Sequence, residues 1–98
     1  MTFEWDEQKR QANLVKHGID FEAAKLIFDR PTVEFPDDRR DYGEERIGAY
    51  GIVGDVVLFV VYTLRGAVRR LISARKAGAD ERQTYDTGIA ARGADDDG

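Results

Sequence analysis

The chain of 98 residues contains no cysteine and a single histidine, His17. Without cysteine it can form neither a disulfide framework nor a cysteine zinc site, which is typical of a reducing compartment. One histidine also excludes a multi-histidine metal centre. The longest apolar run, residues 56–62, is far shorter than the roughly 20 residues that span a bilayer, and the N-terminus lacks a signal-peptide pattern. We therefore expect a cytoplasmic protein with no membrane role, no metal and no other cofactor.

Charged residues make up 35% of the chain, and the formal net charge at pH 7 is -4. One segment of this acidic chain is strongly basic: residues 64–78, LRGAVRRLISARKAG. They contain Arg65, Arg69, Arg70, Arg75 and Lys76, and none of the 19 acids. This segment predicts a local basic surface on an otherwise acidic protein, and hence an anionic partner or ligand.

Length and composition predict one domain with a single modest core over residues 1–90. The remaining residues 91–98, ARGADDDG, have no apolar periodicity and contain three consecutive aspartates. Such a composition buries too little apolar surface to order itself. We expect an acidic, flexible tail there.

Local patterns predict the order strand, helix, helix, four strands, helix. Asp6 and Asp20 are suited to cap the first two helices, and Gly54-Asp55 is a two-residue hairpin signal between apolar strands. Residues 56–62 are apolar at nearly every position, which is typical of a central strand. The predicted fold class is α+β, with an antiparallel sheet packed against two N-terminal helices and a C-terminal helix.

Strict alternation along residues 68–76 divides the side chains of the last strand into two faces. One face would hold Arg69, Leu71, Ser73 and Arg75, and the other Val68, Arg70, Ile72, Ala74 and Lys76. Arginines on a rigid strand suit a phosphate site, because the planar guanidinium can pair with two oxygens. Pairing of the same arginines with acids of the loop at residues 37–45 is an equally simple interpretation.

Other conspicuous side chains have plain structural explanations. Lys16 and His17 fall in the last turn of the first predicted helix, where the helix dipole favours positive charge. Tyr62 and Tyr85 are more typical of core or rim aromatics than of acids. Trp5 is typical of a core residue.

Two segments, residues 3–24 and 60–85, resemble the BrnT family of toxins from bacterial type II toxin-antitoxin pairs. Three signatures occur in order, with the GEER of residues 43–46 between the second and the third. They are W-D-x-x-K at Trp5, Asp6 and Lys9, then N-x-x-K-H-G at Asn13, Lys16, His17 and Gly18, then I-S-A-R-K-A at residues 72–77. Each signature is weak alone, but their combination is specific.

The resemblance implies a RelE-like ribonuclease fold that acts on RNA in the cytoplasm. It also implies a cognate antitoxin similar to BrnA, a ribbon-helix-helix DNA-binding protein, so that operator DNA is contacted only through the antitoxin complex. Metal-independent cleavage directs the 2′-hydroxyl onto the adjacent phosphate, and it requires a base, an acid and cations.

With this resemblance, we expect the catalytic groups to be His17, Lys16, Arg70, Arg75 and Tyr85. Proton transfer would fall to His17, Lys16 or Tyr85, and the identity of the general base stays open. Further contacts to RNA phosphates are expected from Arg46, Arg65, Arg69 and Lys76.

The chain departs from similar sequences after the third signature, where an acidic GADERQTYD stands in place of a basic run. This composition weakens long-range attraction to RNA. One alternative is a binding module without catalysis that holds RNA or an acidic protein on residues 65–76. Proximity of His17 or Tyr85 to the arginines would favour catalysis over binding. A metal-dependent nuclease would instead need Asp37, Asp38 and Asp41 near them.

Overall fold

The computed structural model describes residues 1–97 as a five-stranded sheet with helices on both faces. The strands lie in the order β1-β5-β4-β3-β2. In chain order the elements are β1 (Thr2–Trp5), α1 (Glu7–His17), α2 (Phe21–Ala24), a 3₁₀ helix (Lys25–Asp29), β2 (Val33–Pro36), β3 (Ile47–Val53), β4 (Val56–Arg65), β5 (Val68–Lys76) and α3 (Ala79–Asp97). The mixed α+β class is therefore confirmed.

The predicted helix caps are present at both early helices. The Asp6 carboxylate accepts hydrogen bonds from the backbone of Gln8 and Lys9, and Asp20 accepts one from Glu22. Each carboxylate satisfies N–H groups that the first turn of a helix leaves unpaired. The second predicted helix tightens into the 3₁₀ helix after Ala24.

The predicted hairpin joins β3 and β4. Gly54 has φ of +63°, a conformation that glycine adopts without strain, and β3 pairs in register with β4 on either side of the turn. β4 lies in the middle of the sheet, as its apolar sequence predicted. It is buried on both faces because helices cover both.

Side chains of β4 alternate between two apolar cores. The α2 face of the sheet carries Leu58, Val60 and Tyr62, which pack with Phe21, Ala24 and Ile27. The α3 face carries Val57, Phe59 and Val61, which pack with Tyr50 and Tyr85. Each core is small, so the domain depends on both faces being covered.

The sheet is mixed, which corrects the prediction of an antiparallel one. β1 pairs parallel with β5, with Phe3 opposite Arg69 and Trp5 opposite Leu71. All other neighbours are antiparallel. Hairpin signals reveal only pairings between neighbouring segments, whereas β1 and β5 lie at opposite ends of the domain's sequence.

β5 contains a β-bulge that its sequence does not indicate. Val61 of β4 lies opposite Ser73, but the next residue, Tyr62, lies opposite Leu71. Ile72 is therefore an extra residue in β5. A bulge of this kind interrupts the alternation of side chains along the strand.

The predicted division of the arginines between two faces is wrong because of this bulge. Arg75 lies opposite Phe59 and Arg70 lies opposite Thr63, and both positions belong to the α3 face. Arg69 instead lies against Phe28 on the α2 face. Two arginines five positions apart thus share a face, which regular alternation forbids.

Asn13 joins α1 to β5 where β1 ends. Its side-chain amide donates to the Ala74 carbonyl at 2.8 Å, and its side-chain oxygen accepts from the Ala74 N–H at 3.1 Å. The amide also donates to the Ile19 carbonyl. Because β1 pairs with β5 only as far as Leu71, Asn13 supplies the hydrogen bonds that a longer β1 would have made.

α3 packs across β2 and β3 on the α3 face. Gly88 permits this contact, since a Cβ at that position would lie 2.6 Å from a methyl group of Val33. The backbone helix continues through residues 91–97, and Gly98 lies outside the described residues. The acidic, flexible tail therefore stays a prediction. No helix in residues 1–97 is long and apolar enough to cross a membrane.

We predict that Asn13→Ala lowers the free energy of unfolding by about 2–3 kcal/mol, because it leaves buried backbone groups of Ala74 unpaired. Urea denaturation followed by circular dichroism measures this loss. Val15→Ala on the same helix is the control, since Val15 is 89% exposed, and it should change stability by less than about 0.5 kcal/mol. Equal stability of the two variants would contradict the role assigned to Asn13.

Candidate functional site

Two arginines meet over one aromatic ring on the α3 face. The guanidinium carbon of Arg75 lies 4.7 Å from the ring centre of Phe59, and that of Arg39 lies 5.7 Å from it. Phe59 is buried, so the ring is a fixed platform. We call Arg39, Tyr50, Phe59, Arg75 and Glu81 the Phe59 cluster. Two neighbouring guanidinium groups on a rigid floor form a suitable site for an anion.

Glu81 on the first turn of α3 orients Arg75. Its two oxygens each accept a hydrogen bond from a different terminal nitrogen of Arg75, both at 2.7 Å. The Tyr50 hydroxyl donates to Oε2 at 3.1 Å, and the Gly78 N–H donates to Oε1 at 2.9 Å. The last of these bonds resembles half of a capping box. Glu81 is thus a carboxylate held by four donors from three parts of the chain.

The electrostatics of the cluster follow from these contacts. Hydrogen bonds from Arg75, opposed by burial, lower the pKa of Glu81 from its usual 4.5 to about 2. Burial and the bond to Glu81 raise the pKa of Tyr50. The hydrogen bonds of Arg39 lower the pKa of Asp37. Glu81 and Asp37 therefore stay ionised, and both arginines stay charged, throughout the neutral range.

Lys16 and His17 lie at the edge of β5, beside the bulge. Together with Lys9 they line a shallow depression of about 220 Å³ whose other wall includes Ile72 and Ser73. This depression lies between Arg70 and Arg75 along β5. The bond between Asn13 and Ala74 places α1 there. The predicted histidine and lysine are thus brought to the same strand as the predicted arginines.

Arg70 makes an ion pair with Glu4 of β1, with 2.5 Å between Nη1 and Oε2. The Arg70 side chain is 26% exposed, so it is partly accessible from the α3 face. Both of the arginines that we predicted as catalytic therefore have a glutamate partner in the unliganded protein. A bound phosphate would compete with these carboxylates for the guanidinium groups.

The other predicted phosphate contacts are dispersed. Arg69 lies on the α2 face over the rings of Phe28 and Tyr62, at 5.0 and 5.5 Å, and its buried Nε has no hydrogen-bond partner among residues 1–97. Arg46 stacks on Tyr42 at 4.0 Å. Arg65 is 4.0 Å from Glu44, and Lys76 is exposed at the end of β5. The roles assigned to Arg46, Arg65, Arg69 and Lys76 stay predictions.

The predicted proton donors and acceptors make no hydrogen bond to the predicted catalytic arginines within residues 1–97. Tyr85 is only 7% exposed and packs in the core of the α3 face. Among residues 1–97, no hydrogen bond joins His17 or Tyr85 to a site arginine. Within the same residues, no group of three His, Asp or Glu side chains is arranged to hold a metal ion, and this includes Asp37, Asp38 and Asp41.

Sequence reasoning missed four members of the Phe59 cluster, namely Arg39, Tyr50, Phe59 and Glu81. Glu81 stands three residues after Gly78, in the first turn of α3, a spacing that indicates a helix cap but gives no sign of a partner on β5. Arg39 belongs to a charged loop without periodicity. Its position over Phe59 follows only from the pairing of β2 with β3, which sets where that loop begins and ends.

A larger groove of about 550 Å³ lies under the loop that joins β2 to β3. Phe35, Pro36, Tyr42 and Ile47 contribute its apolar wall. Six acids line it as well, against only Arg40 and Arg46: Glu34, Asp37, Asp38, Asp41, Glu44 and Glu45. This excess of acids makes the groove a poor site for a phosphate backbone.

Comparison with protein families gives a match that covers most of the chain. Residues 5–81 match the family described as "Ribonuclease toxin, BrnT, of type II toxin-antitoxin system". The chain belongs to the BrnT family. The match includes α1, all of β5 and Glu81, whereas Tyr85 lies beyond it. Membership of this family implies RNA as the substrate and an antitoxin as the partner. A search of curated proteins finds no match to the chain.

We predict that Glu81→Gln destabilises this BrnT-family protein in a pH-dependent way. At pH 7 the loss should be about 1–2 kcal/mol, allowing for partial exposure of the pair. Because folding depresses the pKa of Glu81, its contribution is complete above about pH 4.5 and is lost as the pH falls towards 2. The loss should roughly halve by pH 3.

Urea denaturation of both proteins at pH 7 and pH 3 measures this difference. Glu22→Gln is the matched control, because Glu22 is 61% exposed in its ion pair with Lys25 and should contribute little at either pH. A loss for Glu81→Gln that is the same at both pH values would contradict the assignment.

Proposed function

We propose that this protein is the toxin of a type II toxin-antitoxin pair and cleaves RNA internally without a metal ion. In this proposal the fold is RelE-like, the protein acts in the cytoplasm, and a BrnA-like ribbon-helix-helix antitoxin silences it and carries it to operator DNA. Membership of the BrnT family supports the ribonuclease toxin. The proposed chemistry depends on side chains of the α3 face of β5.

The observation that carries the proposal is the bulge at Ile72, which puts Arg70 and Arg75 on one face beside the end of α1. An RNA strand crossing this face would meet two guanidinium groups on a rigid strand, with Lys16 and His17 between them. Arg39 adds a third guanidinium group at the Phe59 ring. Such an array neutralises phosphates and stabilises the charge that develops on the pentacoordinate phosphorus.

In the proposed reaction, the 2′-hydroxyl loses its proton and its oxygen attacks the adjacent phosphorus. The bond from phosphorus to the 5′-oxygen breaks, and that oxygen takes a proton, which leaves a 2′,3′-cyclic phosphate and a free 5′-hydroxyl. Arg75 and Arg70 bind the non-bridging oxygens. Lys16 or His17 supplies the proton to the leaving oxygen, since both border the depression between the arginines. Tyr85 is a weaker choice, because it is buried.

A binding module without catalysis is the second candidate function. It is favoured by the glutamate partners of Arg70 and Arg75 and by the lack of a hydrogen bond from His17 or Tyr85 to them among residues 1–97. Such a module would hold RNA on the same face and leave it intact. An assay of cleavage distinguishes the two functions.

We predict that the purified protein cuts a mixed-sequence RNA in the presence of a chelator and leaves 2′,3′-cyclic phosphate ends. Arg75→Ala should lower the cleavage rate by about 10²–10³, because it removes a charge that stabilises the transition state. Arg75→Lys should restore only part of this loss, since lysine keeps the charge but not the planar fork. Gel and mass-spectrometric analysis of the ends provides the measurement.

Arg30→Ala is the control, because Arg30 is exposed and its side chain reaches the Gly54 carbonyl at the hairpin. It should cleave at the wild-type rate. If the protein binds RNA but does not cut it, with or without ribosomes, the nuclease function is rejected in favour of the binding module. Cleavage that a chelator abolishes would reject the metal-independent reaction.

A further inference from the structure

The α3 face holds an ionised side chain, Glu81, that the reaction above does not use. Glu81 lies in direct contact with Arg75, and its side chain is 27% exposed, so a bound RNA could reach it. Glu4 also contacts an arginine, but through one oxygen, and its side chain is more exposed, at 39%. Glu81 is the better fixed of the two, because Tyr50 and the Gly78 N–H also bind it.

From this arrangement we infer that Glu81 is the general base that removes the proton from the 2′-hydroxyl. This inference rests on the proposed ribonuclease function and adds to it the group that accepts the proton. In RNA the 2′-hydroxyl is attached next to the scissile phosphate. A base hydrogen-bonded to the guanidinium that binds this phosphate is therefore within reach of the hydroxyl.

The geometry also explains how binding could activate this carboxylate. In the structure both oxygens of Glu81 accept hydrogen bonds from Arg75, which makes the carboxylate a weak base. A phosphate that binds Arg75 replaces Glu81 as the acceptor of part of the Arg75 hydrogen bonds, and it brings negative charge close to Glu81. Both changes raise the pKa of Glu81 towards its ordinary value, so the base becomes stronger when substrate is present.

The proton balance of the step is complete. Glu81 takes the 2′-hydroxyl proton as the 2′-oxygen forms its bond to phosphorus. The bond to the 5′-oxygen then breaks, and the leaving oxygen receives a proton from Lys16, His17 or water. Hydrolysis of the cyclic phosphate or exchange with solvent returns Glu81 to its ionised form. No oxidant, metal or further reactant is needed.

Glu81→Gln tests this inference, because glutamine keeps an oxygen that can accept from Arg75 and Gly78 but is not a base. We expect kcat on RNA to fall by about 10²–10⁴, while affinity for a non-cleavable 2′-O-methyl RNA stays within about threefold or increases. Glu22→Gln, the same change in an exposed ion pair on α2, should keep the wild-type kcat. Circular dichroism of each variant verifies that it is folded.

The pH profile separates a base from a structural support. Wild-type kcat should fall on the acidic side with a midpoint near the ordinary carboxyl pKa of about 4, whereas kcat/KM, which reports the free protein, should stay constant to lower pH values. Glu81→Gln should lose the acidic limb of kcat. Glu81→Asp keeps a carboxylate, so it should retain that limb at a reduced rate.

Three results would overturn the inference. Folded Glu81→Gln protein that cleaves within threefold of wild type would leave Glu81 with a structural role only. Faster cleavage by this variant would mean that Glu81 masks Arg75 and takes no part in proton transfer. Absence of cleavage by the wild-type protein would reject the proposed function, and the inference with it. This outcome differs from the first two, in which the wild-type protein cleaves RNA and only the role of Glu81 is rejected.

Discussion

The two hydrogen bonds between the Asn13 side chain and the backbone of Ala74 determine the layout of the site. They replace the pairing that the short β1 cannot supply, and they fix α1 along the free edge of β5. Buried backbone groups without partners are costly, so this contact is strongly constrained. As a consequence, Lys16 and His17 at the end of α1 lie beside the bulge in β5.

The bulge in β5 determines which arginines of the strand share a face of the sheet. Without the extra residue at Ile72, Arg70 and Arg75 would lie on opposite faces of the sheet, and Arg75 would share its face with Arg69. With it, both lie on the α3 face, where Arg39 joins Arg75 over Phe59. An acidic BrnT-family protein can therefore concentrate positive charge along one strand, which compensates locally for its net charge of -4.

Local sequence signals predicted the features that depend on neighbouring residues. These are the caps at Asp6 and Asp20, the Gly54 hairpin and the central position of β4. The parallel pairing of β1, the bulge and the approach of Glu81 to Arg75 join segments that lie apart in the chain or interrupt a regular pattern. No local signal encodes them. The sequence therefore predicted Arg70, Arg75 and the end of α1 as parts of the candidate site, but not Arg39 or Glu81.

Mapping RNA contacts by NMR tests the central claim, that RNA lies on the α3 face of β5 beside the end of α1. A short 2′-O-methyl RNA, which cannot be cleaved, is titrated into labelled protein and the backbone amide shifts are followed. We predict the largest changes at residues 70–76, at the end of α1 and at Glu81, and their loss at high salt. Changes confined to the acidic groove around residues 37–46, with β5 unaffected, would contradict the account.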